Sequence, residues 1–144
     1  MILISHRGNL TGPNPEHENS PSYIVMASHN FNVEIDVWFD NGFYLGHDKL
    51  TYPIDVDFLI NPKFWCHAKN LEALAEMLKT NKIHCFWHQQ DDVTLTSEQY
   101  IWTYPGKKLV GHKSIAVVPE NVSCEWDISN AHGICSDYIQ NYKD

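Results

Sequence analysis

Asn32-Val33-Glu34-Ile35-Asp36-Val37-Trp38-Phe39 alternates in strict period two. An extended chain points successive side chains to opposite faces, so Val33, Ile35, Val37 and Phe39 share one face and Glu34, Asp36 and Trp38 the other. This stretch is a strand with an apolar side to bury and two carboxylates side by side on its reverse. Asp40-Asn41-Gly42 is a turn signal, and Phe43-Tyr44-Leu45-Gly46 returns as a second strand. The hairpin carries His47-Asp48 back toward Asp36.

Toward the N-terminus, Met1 to Ser5 is a short apolar run that reads as a buried parallel strand ending at His6-Arg7-Gly8. Asn9 to Ser20 is rich in Asn, Pro and Gly and reads as a loop, and Ser22 to His29 supplies about two helical turns behind a Ser or Asn cap. Toward the C-terminus, Lys63 to Ala68 is another apolar strand. Asn70 then caps a helix over Leu71 to Lys79, whose stripe is Leu71, Leu74, Ala75 and Leu78. Ile83 to Trp87 reads as a strand that ends in His88-Gln89-Gln90-Asp91-Asp92, a polar turn whose residues are candidates for substrate lining. Beyond it, Tyr100 to Trp102, Ser114 to Val118 and Gly133 to Cys135 are short strands without a further good helix. The strand-then-helix order predicts an α/β domain with a largely parallel sheet, and such sheets hold ligands at the carboxyl ends of their strands. His6, Asp36, His67 and His88 all stand at such ends.

Length and charge narrow the function. At 144 residues the chain predicts one domain spanning 1–144. A net charge of -8 with only ten Lys and Arg argues against nucleic acid, which needs a basic face. No apolar run approaches the roughly 20 residues that span a bilayer, and no charged leader precedes an apolar segment. The expectation is a soluble, cytoplasmic protein without a membrane or nucleic-acid partner. Cys66, Cys85, Cys124 and Cys135 show no C-x-x-C pairing, and at least three sit in strand-like runs, which favours buried free thiols.

The series His6-Arg7-Gly8, Glu18-Asn19-Ser20, Glu34-Ile35-Asp36 and His47-Asp48 resembles, in order and spacing, the motifs of glycerophosphodiester phosphodiesterases, relatives of phosphatidylinositol-specific phospholipase C among the TIM-barrel phosphodiesterases. His67-Ala68-Lys69 stands where that family has Glu-x-Lys, and Gly133-Ile134-Cys135-Ser136-Asp137-Tyr138 is similar to its closing Gly-Ile-x-Thr-Asp-Tyr. The resemblance implies metal-dependent hydrolysis or cyclising cleavage of a small phosphodiester, such as a glycerol or sugar diester. His6 and His47 would be acid and base, Arg7 and Lys69 phosphate contacts, and Glu34 and Asp36 ligands of a divalent cation, magnesium or calcium. With His67 as third ligand the site would also take manganese or zinc, and Glu120 is the rival third ligand. Glu18 would orient Arg7 or a histidine.

A full eight-stranded barrel takes about 250 residues, so the implied fold is an abbreviated TIM-barrel-like phosphodiesterase, with six or seven strands and two or three helices. A flank left bare by missing helices leaves room for a homodimer. The competing reading is a degenerate family member that binds a phosphorylated or sugar ligand without turning it over. A lipid-directed phospholipase is disfavoured by the lack of an amphipathic basic segment. His17, His29, His84, His112 and His132 have no assigned role.

Overall fold

The computed structural model describes residues 1–144. Ten strands form one sheet: β1 (Ile2–His6), β2 (Asn32–Phe39), β3 (Phe43–Leu45), β4 (Tyr52–Ile54), β5 (Phe64–Ala68), β6 (Cys85–Phe86), β7 (Val93–Leu95), β8 (Ile101–Thr103), β9 (Ser114–Val117) and β10 (Gly133–Ser136). Three α-helices accompany them, α1 (Pro21–Ser28), α2 (Val56–Leu59) and α3 (Leu71–Met77). The class is mixed α/β. No helix is long and apolar enough to cross a membrane.

The sheet is mixed rather than largely parallel, which corrects the sequence expectation. β6, β5, β2, β1, β10, β9 and β8 run parallel to their neighbours in that spatial order. β3, β4 and β7 are added antiparallel. The physical reason is connection length: a parallel neighbour needs a long crossover, whereas the three-residue turn Asp40–Gly42 can return the chain only antiparallel.

β2 is the longest strand and organises the rest. Its odd-numbered carbonyls and amides serve β5 over Val33–Val37. The opposite edge is shared by two strands in succession, β1 against Asn32–Glu34 and β3 against Val37–Phe39. Where one leaves and the other enters, Arg7 N–H donates to the Glu34 carbonyl at 3.0 Å and Gly46 N–H to the Asp36 carbonyl at 3.2 Å. The segments after His6 and before His47 therefore meet at Asp36.

The two faces of the sheet have different fillings. On the outer face Val33, Ile35, Val37, Cys66 and Ala68 pack against Ile24 and Ala27 of α1 and Ala73 and Met77 of α3. On the inner face, Ile4, Trp65, Phe86, Trp102, Ile115 and Cys135, from six different strands, form one cluster. β6 and β8 share no ladder, yet the Phe86 and Trp102 rings are 4.7 Å apart and Trp65 lies 5.7 Å from Trp102. The sheet thus curls until its inner face packs on itself, and aromatic side chains bridge the gap that backbone pairing leaves open.

The helix expectations are corrected in one detail. Asn70 does cap α3, accepting from Ala73 N–H at 3.1 Å, but its buried side is Ala73 and Met77, while Leu71 and Leu78 are 62% and 57% exposed. The Asn70 side chain also bonds both backbone groups of Phe39, and this anchor to the end of β2 fixes the helix rotation against the predicted stripe. Cys66, Cys85 and Cys135 are buried free thiols, as their strand positions predict, and Cys124 is exposed.

Trp102 is the inner bridge between the two ends of the curled sheet, so Trp102→Ala is expected to cost about 3–5 kcal/mol. Urea denaturation measures this, and a loss below about 1 kcal/mol would mean that the aromatic bridge does not close the sheet.

Candidate active site

Along four of the inward-facing rows, an apolar residue gives way two positions later to a polar one: Ile4 to His6, Trp65 to His67, Phe86 to His88 and Cys135 to Asp137. On β2 the same row carries two acids in succession, Glu34 then Asp36. The carboxyl ends of the parallel strands consequently deliver polar groups onto the aromatic floor. A cleft of about 490 Å³ opens there, lined by His6, Arg7, Glu34, His47, His67 and Lys69 on its charged side. Both predicted histidines and both predicted phosphate contacts border one cavity.

Glu34 and Asp36 are almost fully buried, at 2% and 1% exposure, and their surroundings differ sharply. Asp36 is held on all sides: Asn19 donates from Nδ2 at 2.9 Å, Arg7 Nε lies at 3.1 Å, His67 Nδ1 at 3.2 Å and Lys69 Nζ at 3.9 Å. Burial opposes its charge, but the His67 hydrogen bond with the positive charges of Arg7 and Lys69 holds its carboxyl well below the usual range. Glu34 has no such support. His6 Nε2 is 3.7 Å and His67 Nδ1 3.8 Å from its two oxygens, beyond hydrogen-bond reach, and Oε2 is buried without a partner. Burial and the neighbouring Asp36 charge push its pKa up to about 7.

An orphaned, buried carboxylate oxygen is costly unless something satisfies it. Ligand atoms of Glu34, Asp36 and His67 all lie within 4.8 Å of one another. Two carboxylates and an imidazole at that spacing fit a divalent cation, with magnesium or manganese suited to the oxygens and zinc to the nitrogen. Glu120 is not part of this group: it accepts from the Ser136 hydroxyl and, at 2.7 Å, from Asp137 N–H, so the rival third ligand is a support for the end of β10.

His6 is oriented by Asp137, 2.8 Å from its Nδ1, which fixes the tautomer and leaves Nε2 toward Glu34 and the cleft. Burial lowers its pKa, but the Asp137 hydrogen bond and the Glu34 charge outweigh that and leave it raised. His47 is pushed the other way, by burial and by the positive charges of Arg7 and Lys69. Its Nδ1 lies 2.7 Å from the carboxylate of Asp48, which is itself exposed. Trp38 Nε1–H donates to the Gly46 carbonyl at 2.7 Å and pins the loop that carries it.

Arg7 adopts a left-handed backbone, φ 57°, and Gly8 follows at φ 92°, where an added Cβ would come within 2.6 Å of the Tyr23 ring. The His-Arg-Gly order thus meets a steric demand as well as a chemical one. Glu18 lies 3.4 Å from Arg7 Nη1 and also accepts from Asn9 Nδ2 at 2.9 Å.

Sequence reasoning assigned no role to Asn9, Asn19, Asp137 or Tyr104. Asn19 grips Asp36 through its side-chain amide and accepts from Asp36 N–H at 2.9 Å. Asn9 joins Glu18 to Asp137, donating to the latter at 2.8 Å. The signals were present in Glu18-Asn19 and in the closing segment that ends at Asp137-Tyr138. Tyr104 had none: its hydroxyl meets His88 Nδ1 from a remote loop. The His88 ring stacks on His67 with centroids 4.4 Å apart, and burial with the neighbouring His67 and Lys69 charges lowers its pKa to about 4.

In the unfolded chain the Glu34 carboxyl loses its proton near 4.5, and in the folded protein near 7, so between these values the folded state holds more proton. Stability of the metal-free protein therefore falls as pH rises through that window. Urea denaturation in chelator across this range should show the fall, and Glu34→Gln should flatten it; parallel curves for the two proteins would exclude Glu34 as its source.

No protein-family model, curated protein or solved structure matches this chain.

Proposed function

We propose that the chain is a divalent-metal-dependent phosphodiesterase, cleaving a small phosphodiester with His6 and His47 as its proton-transfer pair. The observation that carries this reading is the convergence of two oppositely biased histidines, the cationic side chains of Arg7 and Lys69 and an under-satisfied carboxylate on one cleft. Pairs of titratable groups pushed apart in this way mark acid and base. The accompanying fold reading is an abbreviated TIM-barrel-like phosphodiesterase, supported by the seven parallel strands and the layered inner face.

Glu34, Asp36 and His67 would hold the cation, which when bound withdraws charge from the phosphoryl oxygens. Arg7 and Lys69 border the same space and stabilise the remaining charge that gathers on those oxygens. His47, biased to its neutral form, takes the proton of the attacking hydroxyl, either a neighbouring hydroxyl of the substrate or water. His6, biased to its protonated form by Asp137, returns a proton to the departing alkoxide. Glu18 and Asn9 hold Arg7 and Asp137 in place and touch no reacting atom.

Hydrolysis of bis(4-nitrophenyl) phosphate and of glycerophosphodiesters with magnesium, calcium or manganese tests the reading. His6→Ala and His47→Ala are each expected to lower kcat by about 100-fold or more. Absence of turnover with every metal, alongside measurable phosphate binding, would favour a ligand-binding protein instead.

The rate should also trace a bell against pH. Activity rises as His47 loses its proton, below its ordinary value of 6.5, and falls as His6 loses its own, above 6.5, so the plateau straddles that value. Asp137→Asn should draw the alkaline limb toward lower pH, because it removes the charge that holds the His6 proton; an unmoved limb would take the acid role from His6.

A further inference from the structure

Val118, the residue after β9, holds a conformation that its side chain disfavours. Its backbone is left-handed, φ 37° and ψ 60°, where a β-branched side chain crowds its own main chain. Pro119 follows and opens a 3₁₀ turn over Pro119–Asn121, in which Asn121 N–H donates to the Val118 carbonyl at 2.9 Å. Such strain persists only where the surroundings over-determine it. Two sets of contacts do so here. Val118 N–H donates to the Cys135 carbonyl at 2.7 Å, and Glu120, carried back over β10 by the turn, accepts from Asp137 N–H at 2.7 Å through Oε1. The Ser136 hydroxyl donates to the same carboxylate, 3.1 and 3.0 Å from its two oxygens.

Glu120 takes a place that a strand would otherwise fill. Along a parallel ladder the backbone groups turn to the same neighbour at every second residue. Cys135 turns its carbonyl to the β9 side, so Asp137, two residues on, turns its N–H that way. The register of β9 on β10 would give that N–H the Val118 carbonyl, which the turn has spent on Asn121. The Glu120 carboxylate replaces it, and as a charged acceptor it binds more strongly than a carbonyl. Asp137 is thus fixed from the β9 side by its backbone. Toward β1 its Oδ1 lies 2.8 Å from His6 Nδ1 and accepts from Asn9 Nδ2 at 2.8 Å.

We propose that Glu120 is a positioning residue for His6: by holding the Asp137 amide and the Ser136 hydroxyl past the end of β10, it sets the Asp137 carboxylate on the His6 ring. His6 borders the cleft and Glu120 does not, so Glu120 acts only through Asp137. The consequence for catalysis rests on the phosphodiesterase reading above, in which His6 is the acid. Glu120 is itself exposed, so its removal opens no cavity in the core and the variants are expected to fold.

The bond from His6 to Asp137 has a signature that needs no turnover. Its ring proton, sheltered from solvent, gives a downfield proton NMR signal, identified in the full chain by its loss in His6→Ala. Glu120→Ala is expected to speed exchange of that proton about ten-fold or more, because the Asp137 backbone is no longer tied. Glu120→Gln keeps an oxygen for the Asp137 amide and should stay within about two-fold of the native rate. In phosphodiester hydrolysis Glu120→Ala should lower kcat about ten-fold with KM within about two-fold, and Glu120→Gln should recover kcat. An unchanged exchange rate in folded Glu120→Ala overturns the proposal, as does a native chain without the signal, or a loss of the signal that accompanies shifted backbone amides throughout the protein. Absence of turnover in the native chain with every metal, alongside the expected exchange rates, overturns the phosphodiesterase reading and leaves the positioning of His6 standing.

Discussion

Two carboxylates, Glu34 and Asp36, share one face of a strand that is buried on both sides. Charges at that depth cannot rest on solvent, so each needs partners or must keep its proton. The surroundings resolve this unequally. Asn19, Arg7, His67 and Lys69, from three separate segments, all close on Asp36, and the loop after β1 is bent through a left-handed Arg7 to reach it. Glu34 is left beside His6 and His67 at distances too long to bond. One acid is a fixed anion that organises its neighbours. The other remains free to take a ligand or a proton.

That division is possible because the inner face is built in two layers. Trp65, Phe86, Trp102 and Ile115 fill the lower part with rigid apolar bulk, and the next inward positions are His67, His88 and their counterparts on other strands. The apolar layer keeps water from entering beneath the carboxylates, which is what makes their interactions strong. It also seats the imidazoles: the His67 ring lies parallel to the neighbouring rings of Phe86 and His88, within 5° and 7° of them, and its Nδ1 faces Asp36 at 3.2 Å. Truncating the floor would therefore disturb the site as well as the fold.

Much of this was legible locally. The period-two pattern of Asn32 to Phe39 fixed which face carries Glu34 and Asp36, and strand ends named His6 and His67, because a strand's direction and alternation are written in consecutive residues. Features set by distant partners were not. The rotation of α3 depends on Asn70 gripping Phe39, and no count of leucines reports that. β4, α2 and β7 are three or four residues long with exposed positions, too short to show a period. Glu120 carries the right functional group at the end of the right strand, yet Ser136 and Asp137 of the neighbouring strand claim both its oxygens. Asp137 and Tyr104 matter only because the curled sheet brings the last strand and a remote loop beside His6 and His88.

The mixed sheet, against a largely parallel expectation, is where fold and chemistry constrain each other most closely. Had the edge of β2 belonged to β1 along its whole length, Asp36 would be paired there and nothing could enter beside Arg7. β1 ends early because Arg7 and Gly8 turn away in left-handed conformations that an extended partner cannot follow. The vacated edge is filled by a short return of the chain, an antiparallel hairpin, and Gly46 N–H completes the Asp36 carbonyl that β1 left open. The residue after Gly46 is His47. A parallel replacement would have required a crossover on the outer face and would have brought in a strand end from elsewhere in the chain. The antiparallel departure is thus the step that sets a second histidine on the same cleft as Arg7.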